Sequence, residues 1–201
     1  MIKGLIFDLR GVIVFNNNEQ QIKDFAKELN IDLEKVRKME EDNEKKMIIG
    51  KLSVKELCSA IRGTFKIDKD SDELVLIWDK NYEKNTIINK ELLIKIREIK
   101  QKYSVGLISE IFDTTARIHQ KQGIYQNFKP VVLSCRSGTN KFEEKMFKKA
   151  INDIGFKPSE CLYIDDDEKH LATAKEMKMN IIKFKDNQQL FKELKKLKII
   201  K

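Results

Sequence analysis

MIKGLIFDLRGVIV, residues 1–14, carries a short apolar run from Ile2 to Phe7 that stops on a carboxylate, Asp8. A run apolar at nearly every position suits a strand buried on both faces, as in a parallel sheet, with a polar residue at its C-terminal tip. The same phrase recurs along the chain. Val105–Ile108 ends at Ser109, Pro130–Leu133 is followed by Ser134, Cys161–Ile164 runs into Asp165 and Asp166, and a last run spans Asn180–Phe184. Helical spacing fills the gaps: Lys90–Lys102 places Leu92, Leu93, Ile96 and Ile99 on one face, and further helices are expected at about 112–122, 143–154, 168–178 and 188–197. Strands alternating with helices give an α/β fold, an open parallel sheet with right-handed crossovers.

Residues 15–88 break that rhythm. Asn18 can cap a helix to about Leu29, Asp32 opens a highly charged one to about Ile49, Ser53 with Glu56 forms a capping box, and Asp70 starts a fourth helix to about Tyr82. No strand alternation is visible there, so the block is read as all-helical and inserted after the first strand. The expected division is a core of residues 1–14 and 89–201 and an insertion of residues 15–88.

Composition sets the outer bounds. The apolar share is 41%, enough to bury a core, and 8 Gly with 2 Pro argue against disorder or a many-turned all-β protein. No apolar run approaches the roughly 18 residues of a membrane helix, and Asp8 and Arg10 interrupt the segment a signal peptide would need. A cytoplasmic protein is expected. The 40 basic and 32 acidic residues leave a net charge of +8, but the lysines alternate with Glu and Asp along the chain; nucleic acid is not the expected partner. Cys58, Cys135 and Cys161 are odd in number and far apart, which suits reduced core thiols. His119 and His170 are read as surface or capping residues, and Trp78 as packing within the helical block.

Ligands of open α/β sheets sit beyond the carboxyl ends of the strands. Here those ends carry Asp8, Ser109, the segment from Ser134 to Lys141, and the Asp165–Asp166 pair. That set suits phosphoryl transfer. Asp8 can attack phosphorus as a carboxylate nucleophile, Asp8 and Asp166 can hold Mg²⁺, and Ser109 and Lys141 can bind phosphoryl oxygens and offset their charge.

The order of these segments resembles the haloacid dehalogenase superfamily, in its branch with a helical cap and phosphatase members. FDLRGVI (7–13), VGLIS (105–109), GTNKFEEKMFKKA (138–150) and LYIDDDEKHLATAKEMKM (162–179) look like its four motifs, in order. The resemblance implies a Rossmann-like core with a cap that closes over substrate. It also implies Asp8, Ser109 and Lys141 as catalytic residues and phosphate binding at Ser109, Glu110 and Lys141. The implied metal ligands for Mg²⁺ are Asp8, the backbone carbonyl of Arg10, Asp165 and Asp166. A small phosphorylated metabolite is the implied substrate, and a monomer or homodimer the expected state. The acidic pair favours this chemistry over metal-free dehalogenation, which has no use for it.

Four positions depart from the pattern: Arg10, Glu110, Phe142 and Lys178. Most phosphatases of the family have Asp where Arg10 stands. An arginine cannot serve as the general acid or base of that step, and losing such a group typically costs about 10²–10⁴-fold in rate. The reading is therefore an Mg²⁺-dependent phosphatase slowed by Arg10, with a ligand-binding homologue that does not turn over as the alternative. An ion pair between Arg10 and Glu110 at the site mouth is one expectation; the alternative is that Glu110 points to solvent and Arg10 binds substrate anions.

Overall fold

A computed structural model describes all 201 residues. Strands β1 (Gly4–Asp8), β4 (Ser104–Ser109), β5 (Val131–Leu133), β6 (Cys161–Asp165) and β7 (Asn180–Lys183) form one parallel sheet in the order β5-β4-β1-β6-β7. The side chains obey the two-residue period of a strand. Leu5, Phe7 and Leu107 face a layer containing α5 (Lys90–Ile99) and α10 (Asn187–Lys196), while Ile6, Ile108 and Tyr163 face α8 (Glu144–Ile154) and α9 (Glu168–Glu176). With helices on both faces, β1 is buried at all five positions, which is why its sequence is a continuous apolar run. Register puts Phe7 opposite Ile164 and Asp8 opposite Ile108, so Asp8, Ser109 and Asp165 end three adjacent strands at the same edge.

Helices α1 (Asn18–Leu29), α2 (Leu33–Ile48), α3 (Val54–Phe65) and α4 (Ser71–Lys84) pack around their own apolar cluster, with the Phe25 and Trp78 rings edge to face at 5.1 Å. Ser53 with Glu56 and Asp70 with Glu73 form reciprocal capping boxes, and Asp32 caps α2. Each such cap contributes about 1 kcal/mol. The cap of α1 is Asn17, one residue before the expected Asn18; its side chain accepts from the Gln20 backbone N–H at 3.0 Å.

The block is not all-helical. Strands β2 (Val14–Asn16) and β3 (Thr86–Ile88) pair antiparallel at its two ends and join it to the sheet layer as a two-stranded ribbon. Each is three residues long, too short to show alternation, and Phe15 and Ile87 lie on its exposed side. The remaining helices are α6 (Asp113–Lys121) and a single turn, α7 (Ser134–Ser137). Cys58 and Cys161 are buried and unpaired; Cys135 is also a free thiol but is partly exposed.

The lysines are more segregated in space than along the chain. Lys102, Lys195, Lys198 and Lys201 line one groove at the N-terminal edge of the sheet, and none has a carboxylate partner. Lys95 joins them, paired to Glu98 at 2.6 Å. Helices running antiparallel to the strands bring their basic C-terminal ends to that edge, a gathering the sequence spacing conceals.

Candidate active site

Asp8 ends β1 at 3% exposure, and the Lys141 side chain, 2% exposed, reaches it from the loop between α7 and α8. Lys141 Nζ donates to Asp8 Oδ1 at 2.5 Å and to Asp165 Oδ2 at 2.8 Å, so one buried ammonium bridges the tips of β1 and β6. Asp165 also accepts from the Tyr163 hydroxyl and, at 2.8 Å, from the Asp167 backbone N–H. His170 Nδ1 stands 3.3 Å away.

These surroundings set the protonation. Burial pushes the Asp8 carboxyl up to about 7; the Lys141 ammonium opposes the shift and the Asp165 charge reinforces it. Burial would raise Asp165 too, but the His170 ring, the Lys141 ammonium and the Tyr163 hydroxyl outweigh it and hold that carboxyl well below the usual range. Lys141 is held above its ordinary value: burial works against its charge, and the two carboxylates prevail. Asp166 is raised by partial burial and by the neighbouring Asp165.

Oxygens of Asp8, Asp165 and Asp166 lie within 4.8 Å of one another. Three carboxylates against one ammonium leave an excess of negative charge, the donor set a hard divalent cation takes. Gly11 fits the same picture. Its φ is +84°, and a Cβ there would fall 2.3 Å from Asp166 Oδ2, so only glycine lets the loop after β1 lie against that carboxylate.

Ser109 is fully buried at the tip of β4, its hydroxyl only 3.4 Å from the Glu110 carbonyl and so not strongly engaged. Glu110 does not pair with Arg10 as expected. Its carboxylate accepts from the Lys141 backbone N–H at 2.7 Å and lies 3.8 Å from His170 Nε2. Held that way, it ties the Lys141 loop to β4 and cannot turn to Arg10, which is exposed and has no ion-pair partner. As a carboxylate in the cleft, the Glu110 side chain repels a phosphoryl oxygen.

The cleft holds about 370 Å³ and is lined by Asp8, Arg10, Glu110, Lys141 and Asp166 from the sheet layer and by Glu44 and Ile48 of α2. His170 lines it as well and is nine-tenths buried, not a surface residue. Tyr163 belongs to the site as well: its position two residues before Asp165 puts both side chains on one face of β6, a period-two signal the sequence carries. His119 is buried too: its Nε2 shares a hydrogen bond of 2.9 Å with the Tyr82 hydroxyl across the contact between α6 and α4. Its place on α6 could not be distinguished from a solvated one by spacing alone.

The sequence model of the haloacid dehalogenase-like hydrolase family matches residues 2–178. The enolase-phosphatase E1 of Sulfurihydrogenibium sp. (strain YO3AOP1) is 23% identical over 203 residues, covering 91% of this chain and 87% of that protein. A crystal structure of a HAD family enzyme from Bacteroides thetaiotaomicron, in complex with magnesium and inorganic phosphate, superposes with a TM-score of 0.80 at 24% identity, covering 95% of this chain and all of the other. A 2-haloacid dehalogenase from Pseudomonas syringae pv. Tomato superposes with a TM-score of 0.68 at 16% identity, covering 92% and 86%. The parallel sheet, the acidic residues at its carboxyl edge and the match over residues 2–178 agree: this chain belongs to the haloacid dehalogenase-like hydrolase family.

Proposed function

We propose that the chain is a magnesium-dependent phosphatase acting on a small phosphomonoester through an aspartyl-phosphate on Asp8. The observation that carries the reading is the Lys141 ammonium shared between Asp8 and Asp165 beside the buried Ser109 hydroxyl. The Asp8 carboxylate attacks phosphorus, the bond to the leaving alcohol breaks, and water then cleaves the acyl phosphate to restore the carboxylate. Lys141 and Ser109 hold the phosphoryl oxygens through both steps. Asp8, Asp165 and Asp166, with the Arg10 carbonyl, would hold the metal, which when bound offsets phosphoryl charge. The layer of α1–α4 would serve as the cap, since α2 already lines the cleft.

Arg10 and Glu110 support a second reading, a homologue that binds a phosphorylated ligand without turnover. Position 10 has no acid to protonate the leaving group, and Glu110 brings negative charge beside Ser109. Phosphate release from a panel of small phosphomonoesters with Mg²⁺ separates the two. The expected result is slow release that Asp8→Asn abolishes, raised by Arg10→Asp by up to about 10²-fold. No release from either the native protein or Arg10→Asp would favour the binding reading.

A further inference from the structure

Charge also collects at the opposite edge of the sheet, where the strands begin. The groove there holds about 560 Å³ and is lined from α5, α10 and the residues that follow each helix. Its floor is apolar: Ile99 and Ile199 are buried, and Tyr103 and Ile200 are partly buried and packed on the core. Five lysines line it, and the one carboxylate among them, Glu98, is taken up by Lys95. Lys102 and Tyr103 also line a second groove, with Ile2 and Phe156.

Lys102, Lys195, Lys198 and Lys201 therefore gather around one depression with no carboxylate to offset them. Like charges held together repel, which works against the compact state until an anion joins them. The helix dipole accounts for Lys195, in the last turn of α10, where a cation meets the free carbonyls. It does not account for Lys102, Lys198 and Lys201, which lie outside both helices.

The shape and chemistry of the groove select its occupant. A flat acidic bilayer would leave a concave floor uncovered. Lysines are point charges without a fixed fork, so they follow a repeating anion and do not select the geometry of one group. The floor adds an aromatic ring, Tyr103, among aliphatic side chains. Flat bases on an anionic backbone match both parts, since bases stack on such a ring while cations hold the phosphates.

We propose that this groove binds single-stranded nucleic acid, with Lys102, Lys195, Lys198 and Lys201 on the phosphates and Tyr103 as the stacking platform. This is a second function, independent of the phosphatase reading. Strand β4 runs from this edge at Ser104 to the reaction edge at Ser109, a span of roughly 17 Å. The alternation of lysine with acidic residues along the chain speaks against nucleic acid, but the fold does not preserve that alternation at this edge.

The test is fluorescence anisotropy of a labelled oligothymidylate of about 15 nucleotides with the full chain, over a range of salt. Binding at low salt is expected, with log K falling against log salt at a slope of about −3 for four phosphate contacts. Lys195→Glu with Lys198→Glu should weaken it roughly tenfold or more and flatten the slope. Lys38→Glu with Lys69→Glu changes the net charge equally at exposed lysines of the helical layer and should leave the affinity within about twofold. Tyr103→Leu should cost roughly five- to tenfold through lost stacking, and a melting curve confirms that each variant is folded. Absence of binding at low salt overturns the proposal. So does an equal loss in the Lys38–Lys69 variant, an affinity indifferent to Tyr103→Leu, or tighter binding to phosphatidylserine vesicles than to the oligonucleotide.

Discussion

Lys141 concentrates the chemistry of the site in one side chain. It is a buried cation between two buried carboxylates, and removing one member of such a group leaves charge in a low-dielectric place with nothing opposite it. Lys141→Met is therefore expected to destabilise the fold by about 3–5 kcal/mol. Asp8→Asn, which keeps a hydrogen-bonding oxygen beside the ammonium, should cost clearly less. Urea unfolding of both variants beside the native protein measures the difference, and a Lys141→Met midpoint equal to the native one would mean that Lys141 is not structural. The residues at strand tips were legible because order and position select them together. The contacts of Glu110 were not. Adjacency of β1 and β4 brings positions 10 and 110 near each other, but which group Glu110 meets depends on the Lys141 loop, whose backbone N–H takes the carboxylate.

Among elements, the α4–α6 contact carries a buried titratable group, His119. The Tyr82–His119 bond is flanked by the Asp79–Arg117 ion pair at 2.5 Å, and Val54 N–H donates to Asp113 at 3.1 Å at the start of α6. Burial lowers the His119 pKa to about 4, against 6.5 for the free side chain. Between those values an unfolded chain takes up a proton that the folded chain refuses, so the stability linked to His119 is complete above pH 6.5 and falls as pH drops toward 4, by about 3 kcal/mol. Glu40 has the opposite sign. Its carboxyl is pushed up to about 7 by burial and by Glu44, so ionising it as pH rises works against the fold. The measurable quantity is thus the difference between the native protein and His119→Gln: the variant should lose less stability on acidification from pH 6.5 to 4.5, and parallel pH profiles would show His119 to be uninvolved. Helix caps were readable in advance because a cap is local, a side chain and the backbone two or three residues on. The paired strands β2 and β3 were not, because their partners lie some seventy residues apart and three residues are too few to establish an alternation.

For the molecule as a whole, fold and family were legible and the seating of one layer on the other was not. Five apolar runs ending in polar residues prescribe a parallel sheet; nothing in the spacing says which face of the helical layer meets which loop. The two layers meet closely at Gly50, just beyond α2. Its φ is +71°, and a Cβ there would fall 2.1 Å from the Cys135 carbonyl oxygen of α7. Gly50→Ala is expected to push the layers apart at that point, raising the radius of gyration in small-angle scattering and lowering the unfolding free energy measured in urea by more than about 1 kcal/mol. An unchanged scattering profile would mean that the contact gives way locally and does not set the separation of the layers.

The ribbon of β2 and β3 governs what such a displacement can look like. Val14 pairs with Ile88, Phe15 with Ile87 and Asn16 with Thr86, and the Asn16 side chain adds a bond of 3.0 Å to the Thr86 hydroxyl. Two tethers laddered together cannot slide past one another without breaking that ladder, but a narrow ribbon still bends and twists. Movement of the layer about that ribbon would be a rotation, and it would have to part the α4–α6 contacts, the Tyr82–His119 hydrogen bond and the Asp79–Arg117 ion pair among them. With α2 about 24 Å long, a turn of roughly 10° at that axis carries the far end of such a lever about 4 Å. In mechanical terms the ribbon is the pin of a door and the α4–α6 contact its latch: a gap of a few ångströms at the edge needs that latch released, with no rearrangement inside the layer.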